Sequence, residues 1–103
     1  MADIGVHALQ ATIRATYGVR DTARGLDANF GWFIEEVGEL SRAIRRQGHR
    51  ERVEEFSDVL AWLLSLADLA GVDMAEAAGR YTDGCPKCQA IPCECSHADR
   101  LPD

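Results

Sequence analysis

The sequence predicts an all-α protein: a helical bundle of about four helices per chain, completed by oligomerisation, with a small C-terminal cysteine knuckle. Three observations predict it. Apolar residues recur at helical spacings through most of residues 1–84, and no β-type alternation of useful length interrupts them. The segment 51–70 is apolar round most of its circumference, with Leu60, Trp62, Leu63, Leu64, Leu66 and Leu69, so it needs neighbours on several sides. All four cysteines fall between Cys85 and Cys95, where the composition changes abruptly.

The first helix is expected over 3–17, with Ile4, Leu9, Ile13 and Tyr17 on one face and Gly18 as its stop. A polar connection, GVRDTARGLDAN (18–29), follows. The second helix is expected from about Phe30 to Gln47, capped by Asp27 or Asn29 and stopped by Gly48. The third runs from about Glu51 to Ala70 and ends at Gly71. Asp73 caps a short fourth helix over 74–83, which stops at Gly84.

The chain of 103 residues is one helical domain by length, and 47% hydrophobic with 27% charged residues is a globular balance rather than a disordered one. A chain this short buries little surface alone, which together with the third helix predicts a homodimer or homotetramer. The net charge of −6 argues against nucleic acid or an anionic membrane as partner. No apolar run approaches the roughly twenty residues that span a bilayer. MADIGVHALQ has neither a basic region nor a cleavage site of the secretory kind, so a cytoplasmic location is expected.

The most informative stretches are FIEEVGEL (33–40) and EEFSDVLAWLL (54–64). At roughly 100° per residue, the apolar stripe of the second helix comprises Phe30, Phe33, Ile34, Val37, Leu40 and Ile44, with Glu36 about a quarter turn to one side. Glu39 lies further round on that side. On the third helix the stripe is Phe56, Val59, Leu60, Leu63 and Ala67; Glu55 and Asp58 take the matching positions in the same rotational sense. A short connection makes the two helices antiparallel neighbours, so Glu36, Glu39, Glu55 and Asp58 are expected to converge beside the seam. Four empty carboxylates there would repel. A hard divalent cation, Mg²⁺ or Mn²⁺, relieves that repulsion. Each acid taken singly also has a plainer reading: Glu54 and Glu55 suit a helix start, and Glu35 and Glu39 suit a solvated face beside Arg42 and Arg46.

These residues resemble the MazG-like nucleotide pyrophosphohydrolases of the all-α NTP pyrophosphatase superfamily. EEVGE (35–39) and EFSD (55–58) fit the family's E-E-x-x-E and E-x-x-D in order, and the likeness covers about residues 17–81. It implies Mg²⁺-dependent hydrolysis of a nucleoside triphosphate, modified ones and dNTPs included, to the monophosphate and pyrophosphate. It implies Glu36, Glu39, Glu55 and Asp58 as metal ligands. Glu35 is the candidate to orient or deprotonate the attacking water, or to stand behind the ligands. Where members carry N-x-K-F, this chain has AGRY (78–81), so Arg80 replaces a phosphate-holding Lys. Trp32, Arg24 and Tyr17 are candidate contacts for base or phosphate, with helix-end packing and loop charge as their alternative roles.

Cys85, Cys88, Cys93 and Cys95 form C-x2-C-x4-C-x-C, a spacing that points to a closed, structural Zn²⁺ site in a cytosolic protein. His97 is an alternative ligand, and a Cys85–Cys88 redox pair or a metal-free tail are the competing readings. The expected division is therefore 1–84 for the helical domain, 85–97 for the zinc knuckle and 98–103 for a disordered tail. A different class of function stays open beside the enzyme: a non-catalytic, zinc-bearing interaction module on a helical scaffold. Such a module would have no reason to keep four acids in phase.

Overall fold

The structure, a computed structural model, describes residues 3–96. His97 and the expected tail 98–103 lie outside the described residues. Four helices follow one another: α1 (Val6–Arg24), α2 (Leu26–Arg46), α3 (His49–Leu69) and α4 (Met74–Gly79), with no strand among the described residues.

The expected end of the first helix at Gly18 and the loop over 18–29 are overturned. Helix α1 continues through Gly18, whose cost inside a helix is only about 1 kcal/mol, and stops at Gly25, where φ is 91°. One residue thus joins α1 to α2. Asn29 makes this possible. Its Nδ2 donates to the carbonyls of Asp21 (2.9 Å) and Gly25 (2.7 Å), groups at the C-terminal end of α1. Arg24 Nη1 donates to Asn29 Oδ1 at 2.8 Å and so fixes the amide's orientation. Neither Asp27 nor Asn29 is the N-cap of α2; Gly25 holds that position, and Asp27 lies in the first turn, where its charge suits the dipole.

Only Gln47 and Gly48 separate α2 from α3, and the two pack side by side as antiparallel neighbours. Arg52 of α3 closes the end of α2 by donating to the carbonyls of Ala43 (3.3 Å) and Ile44 (2.9 Å). Helix α3 ends near Gly71 as expected, in a paired-bond cap: Val72 N–H donates to Ala67 O at 2.8 Å and Gly71 N–H to Asp68 O at 3.1 Å, with Gly71 at φ 74°. Asp73 caps α4 by accepting from Ala75 N–H. That helix ends at Gly79 rather than at Asp83, because the bonds from Arg80, Tyr81 and Thr82 tighten to i→i−3 turns.

Gln10 ties α1 to the rest. It is buried, its Nε2 donates to Asp68 Oδ1 and to Val72 O, both at 2.9 Å, and its Oε1 accepts from Met74 N–H at 2.8 Å. Arg14 adds a 2.8 Å bond to the same Asp68 oxygen.

The two apolar stripes face each other only in part, through Phe33, Leu40 and Ala67. Phe30 (53% exposed) and Ile34 (52%) on α2, and Phe56 (55%) and Leu60 (44%) on α3, point away from the chain's own interior. The seam side of α2 is instead Asn29, Phe33, Glu36, Leu40 and Ala43, all buried or half-buried and spaced four and three apart. The buried apolar residues are Ala43, Leu64 and Ala67. Because the centres of both stripes turn outward, Glu36 and Glu55, a quarter turn away, land on the seam itself.

Candidate metal centre and adjoining cavity

Glu36 from α2 and Glu55 and Asp58 from α3 each present a carboxylate oxygen, and these oxygens lie within 4.8 Å of one another. Burial raises the Glu36 carboxyl above its ordinary pKa, and the charges of Asp58 and Glu55, a hydrogen bond with Glu55 and the charge of Glu39 push the same way. One oxygen of Glu55, Oε2, is buried with no hydrogen-bond partner. A buried acceptor left unpaired costs stability. Three hard oxygen donors, mutual repulsion and an orphaned acceptor fit a divalent cation that takes oxygen ligands.

Not every expected ligand joins the cluster. Glu39 acts on Glu36 through its charge but is exposed and lies outside the three-oxygen group. Glu35, adjacent to Glu36, is exposed on the helix surface. Glu54 is drawn into an exposed pair with Arg50 at 3.4 Å.

Asp58 also borders a cavity of about 290 Å³ lined by Tyr17, Arg20, Asp21, Arg24, Ala61, Trp62 and Ser65. Here α1 and α3 meet, and the continuation of α1 beyond Gly18 supplies Arg20, Asp21 and Arg24 to the wall. Arg24 stands over the Trp62 ring at 5.1 Å, and Trp62 stacks on Trp32 with centroids 6.3 Å apart and planes 14° apart. Arg24 also pairs with the buried Asp21 at 3.3 Å. Two of the expected contact residues, Arg24 and Trp32, are therefore joined through Trp62, which by sequence counts only toward the apolar circumference of its helix. The signal available was the presence of both tryptophans beside the two acidic motifs.

Arg80 is elsewhere. It lies over Tyr81 at 5.9 Å and lines a surface depression with Asp83, Gly84, Cys85, Pro86 and Gln89. No described contact brings it to the acids.

The thiols of Cys85, Cys88, Cys93 and Cys95 form a second cluster within 4.8 Å, none in a disulfide, and this group could hold a metal ion. Backbone N–H groups, first that of Glu94 and then that of Ala90, bring the Cys88 thiol down to about 6. Cys85 is lowered by the N–H groups of Cys88 and Lys87. Cys95 is pushed up to about 12, chiefly by its hydrogen bond with Cys93.

Fold and site together define a class: an all-α protein whose antiparallel helix pair gathers carboxylates beside a cavity walled by arginine and tryptophan. Residues 24–87 match the family model of the MazG nucleotide pyrophosphohydrolase domain, and the chain belongs to that family. The matched span takes in both acidic motifs, Arg24, Trp32, Trp62, Arg80 and Cys85, and ends before Cys88. No curated protein matches the chain significantly. Nucleotide pyrophosphohydrolysis in general, with divalent metal, is the chemistry that this membership supports. Among the described residues, no helix is long and apolar enough to cross a membrane.

Proposed function

We propose that this protein hydrolyses nucleoside triphosphates, modified ones or dNTPs included, to the nucleoside monophosphate and pyrophosphate, with Mg²⁺ or Mn²⁺ held by Glu36, Glu55, Asp58 and Glu39. The observation that carries this reading is the meeting of Glu36, Glu55 and Asp58 around the unpartnered oxygen of Glu55. A divalent ion bound there supplies charge neutralisation for the triphosphate and acidity for the attacking water.

The chain's own groups do the rest. Glu36, whose carboxyl is raised by burial and by the charges of Asp58 and Glu55, would hold the cation with Glu55 and Asp58, and the ion's positive charge would offset that repulsion. Asp58, shared between the acids and the cavity, aligns the triphosphate with the nucleoside pocket. Arg24 offers its guanidinium to phosphate, and the Trp32–Trp62 pair offers an aromatic wall to the base. Glu35, one residue from Glu36, orients or deprotonates the water for in-line attack at the α-phosphorus, with pyrophosphate leaving. Arg80 has no part in this reading.

The active form is a homodimer or homotetramer. The chain exposes 7920 Å², against about 5,700 Å² for a folded monomer of this mass. Its radius of gyration is 15.8 Å, against about 13 Å for a compact domain of this length. Both excesses are consistent with the outward stripes of α2 and α3 closing on a second copy, which would shelter the acid cluster between subunits.

The test is pyrophosphate release from a panel of NTPs and dNTPs with Mg²⁺, comparing the wild type with Glu39→Gln and Asp58→Asn. Loss of release in both variants is expected. Equal rates in all three proteins reject the assignment.

A further inference from the structure

We infer that Cys85, Cys88, Cys93 and Cys95 bind a single zinc ion in a closed tetrathiolate site that folds residues 84–95 into a fixed knuckle. Three of these four residues lie beyond the span that matches the family model, so the site is separate from the acid cluster.

The sulfur positions carry the inference. Cys85 Sγ and Cys95 Sγ are 3.7 Å apart, and Cys88 Sγ and Cys93 Sγ are 3.8 Å apart. The two pairs share no atom, so they are opposite edges of the four-sulfur figure. A tetrahedral ion with Zn–S bonds of about 2.3 Å has sulfur–sulfur edges of about 3.75 Å. Both observed edges match that figure. They are far longer than the roughly 2.05 Å of a disulfide. A cluster of several irons would spread its thiolates over different metal atoms, whereas these four sulfurs all lie within 4.8 Å of one another.

The backbone is shaped for the same purpose. Gln89 N–H donates to Cys85 O at 2.6 Å, and Cys85 N–H donates to Ala90 O at 3.3 Å, closing a tight loop round the first two thiols. Gln89 adopts φ 63° at the turn of this loop. Gly84 enters it at φ 109°, and a Cβ there would come within 2.6 Å of Ile91 Cγ1 and 2.9 Å of Ala90 O, so only glycine fits. Glu94 N–H donates to Cys88 Sγ and Cys95 N–H to Cys93 Sγ, each at 3.3 Å. One Zn²⁺ with four thiolates carries a net charge of −2, which such N–H donors offset. The four thiol protons leave to solvent on binding.

The choice of zinc over iron follows from the ligands and their number. Ferrous iron can also occupy four thiolates, but zinc binds such donors more tightly in the divalent series. With four protein ligands no position stays open for water, so the ion is structural. It supplies the segment after α4 with the cohesion that a hydrophobic core supplies elsewhere.

The experiment uses the full chain, purified under reducing conditions without chelators, and elemental mass spectrometry of its metals. One zinc per chain is expected. Replacing it by Co²⁺ should give thiolate-to-cobalt charge-transfer bands and the intense visible bands of a tetrahedral site. Cys88→Ser and Cys93→Ser should each weaken zinc binding at least 100-fold in competition with a chromogenic chelator. Their far-ultraviolet circular dichroism should keep the helical signal, which separates loss of the site from loss of the fold. Absence of zinc together with absence of cobalt bands in the reduced wild type overturns the inference. So does stoichiometric iron in place of zinc, or undiminished zinc affinity in both serine variants.

Discussion

Glu36 of α2 and Glu55 of α3 face each other across the helix seam with carboxylate oxygens within 4.8 Å, while Oε2 of Glu55 is buried without a partner. Burial and the charges of Asp58 and Glu55 raise the Glu36 carboxyl above its ordinary pKa.

That arrangement sets a pH dependence. The folded chain holds the Glu36 proton to higher pH than the unfolded chain does. Stability from this group is therefore fully present below the ordinary carboxyl pKa and is lost as the pH rises through the raised folded value. Metal-free protein should show a falling Tm over that window. Mg²⁺ at a hundred times its dissociation constant should restore about 2.7 kcal/mol at neutral pH, on the order of 10 °C or more, and far less at pH 4. Thermal scans with and without Mg²⁺ at both pH values check this, and Glu36→Gln should abolish the Mg²⁺ increment while raising the metal-free Tm.

Glu35 and Glu39 separate two roles. Glu39→Gln should weaken Mg²⁺ binding roughly 10- to 100-fold. Glu35→Gln, if Glu35 handles the water, should lower kcat by about 100-fold or more while leaving Mg²⁺ affinity unchanged. Calorimetric Mg²⁺ titration beside single-turnover pyrophosphate release distinguishes them; a Glu35→Gln effect confined to Mg²⁺ affinity would move Glu35 behind the ligands.

Trp32 and Trp62 are the chain's two tryptophans, and they stack on each other next to Arg24. Nucleotide entering the cavity beside Asp58 should therefore change intrinsic fluorescence. Trp62→Ala should raise the nucleotide dissociation constant about 10-fold, in line with the 1–3 kcal/mol typical of base–aromatic stacking. An unaltered dissociation constant would place the base elsewhere.

Gln10 joins three helices through three hydrogen bonds. Gln10→Leu strands Val72 O and Met74 N–H and leaves Asp68 to Arg14 alone, and should cost about 2–4 kcal/mol. Chemical denaturation of the wild type and the variant measures this directly.

Phe56 and Leu60 belong to the outward stripe. The double substitution Phe56→Glu, Leu60→Glu should convert the proposed oligomer to monomer in sedimentation velocity and lower Tm. Wild-type protein that sediments as a monomer at micromolar concentration would reject the oligomer.

Local pattern made much of this legible. Helical period, glycine stops and the Asp73 cap placed α2, α3 and α4 to within a few residues at most ends. The rotational phase of Glu36, Glu55 and Asp58 anticipated their meeting, because the angular position of a side chain on a helix depends on sequence spacing alone. The extension of α1 was not legible, since the group that satisfies its end, Asn29, belongs to the next helix and reaches it only through the bend at Gly25.

By itself the sequence determined which residues share a helix face, and so which acids could act together. Tertiary structure decided which face would be covered. It turned Phe30, Ile34, Phe56 and Leu60 outward, put Glu36 and Glu55 on the seam, left Glu39 at its edge and set Trp62 between Trp32 and Arg24. The physical reason is that periodicity specifies an angle about one helix axis, whereas burial depends on what else packs against that helix, and long-range partners such as Gln10, Asn29 and Arg52 settle that.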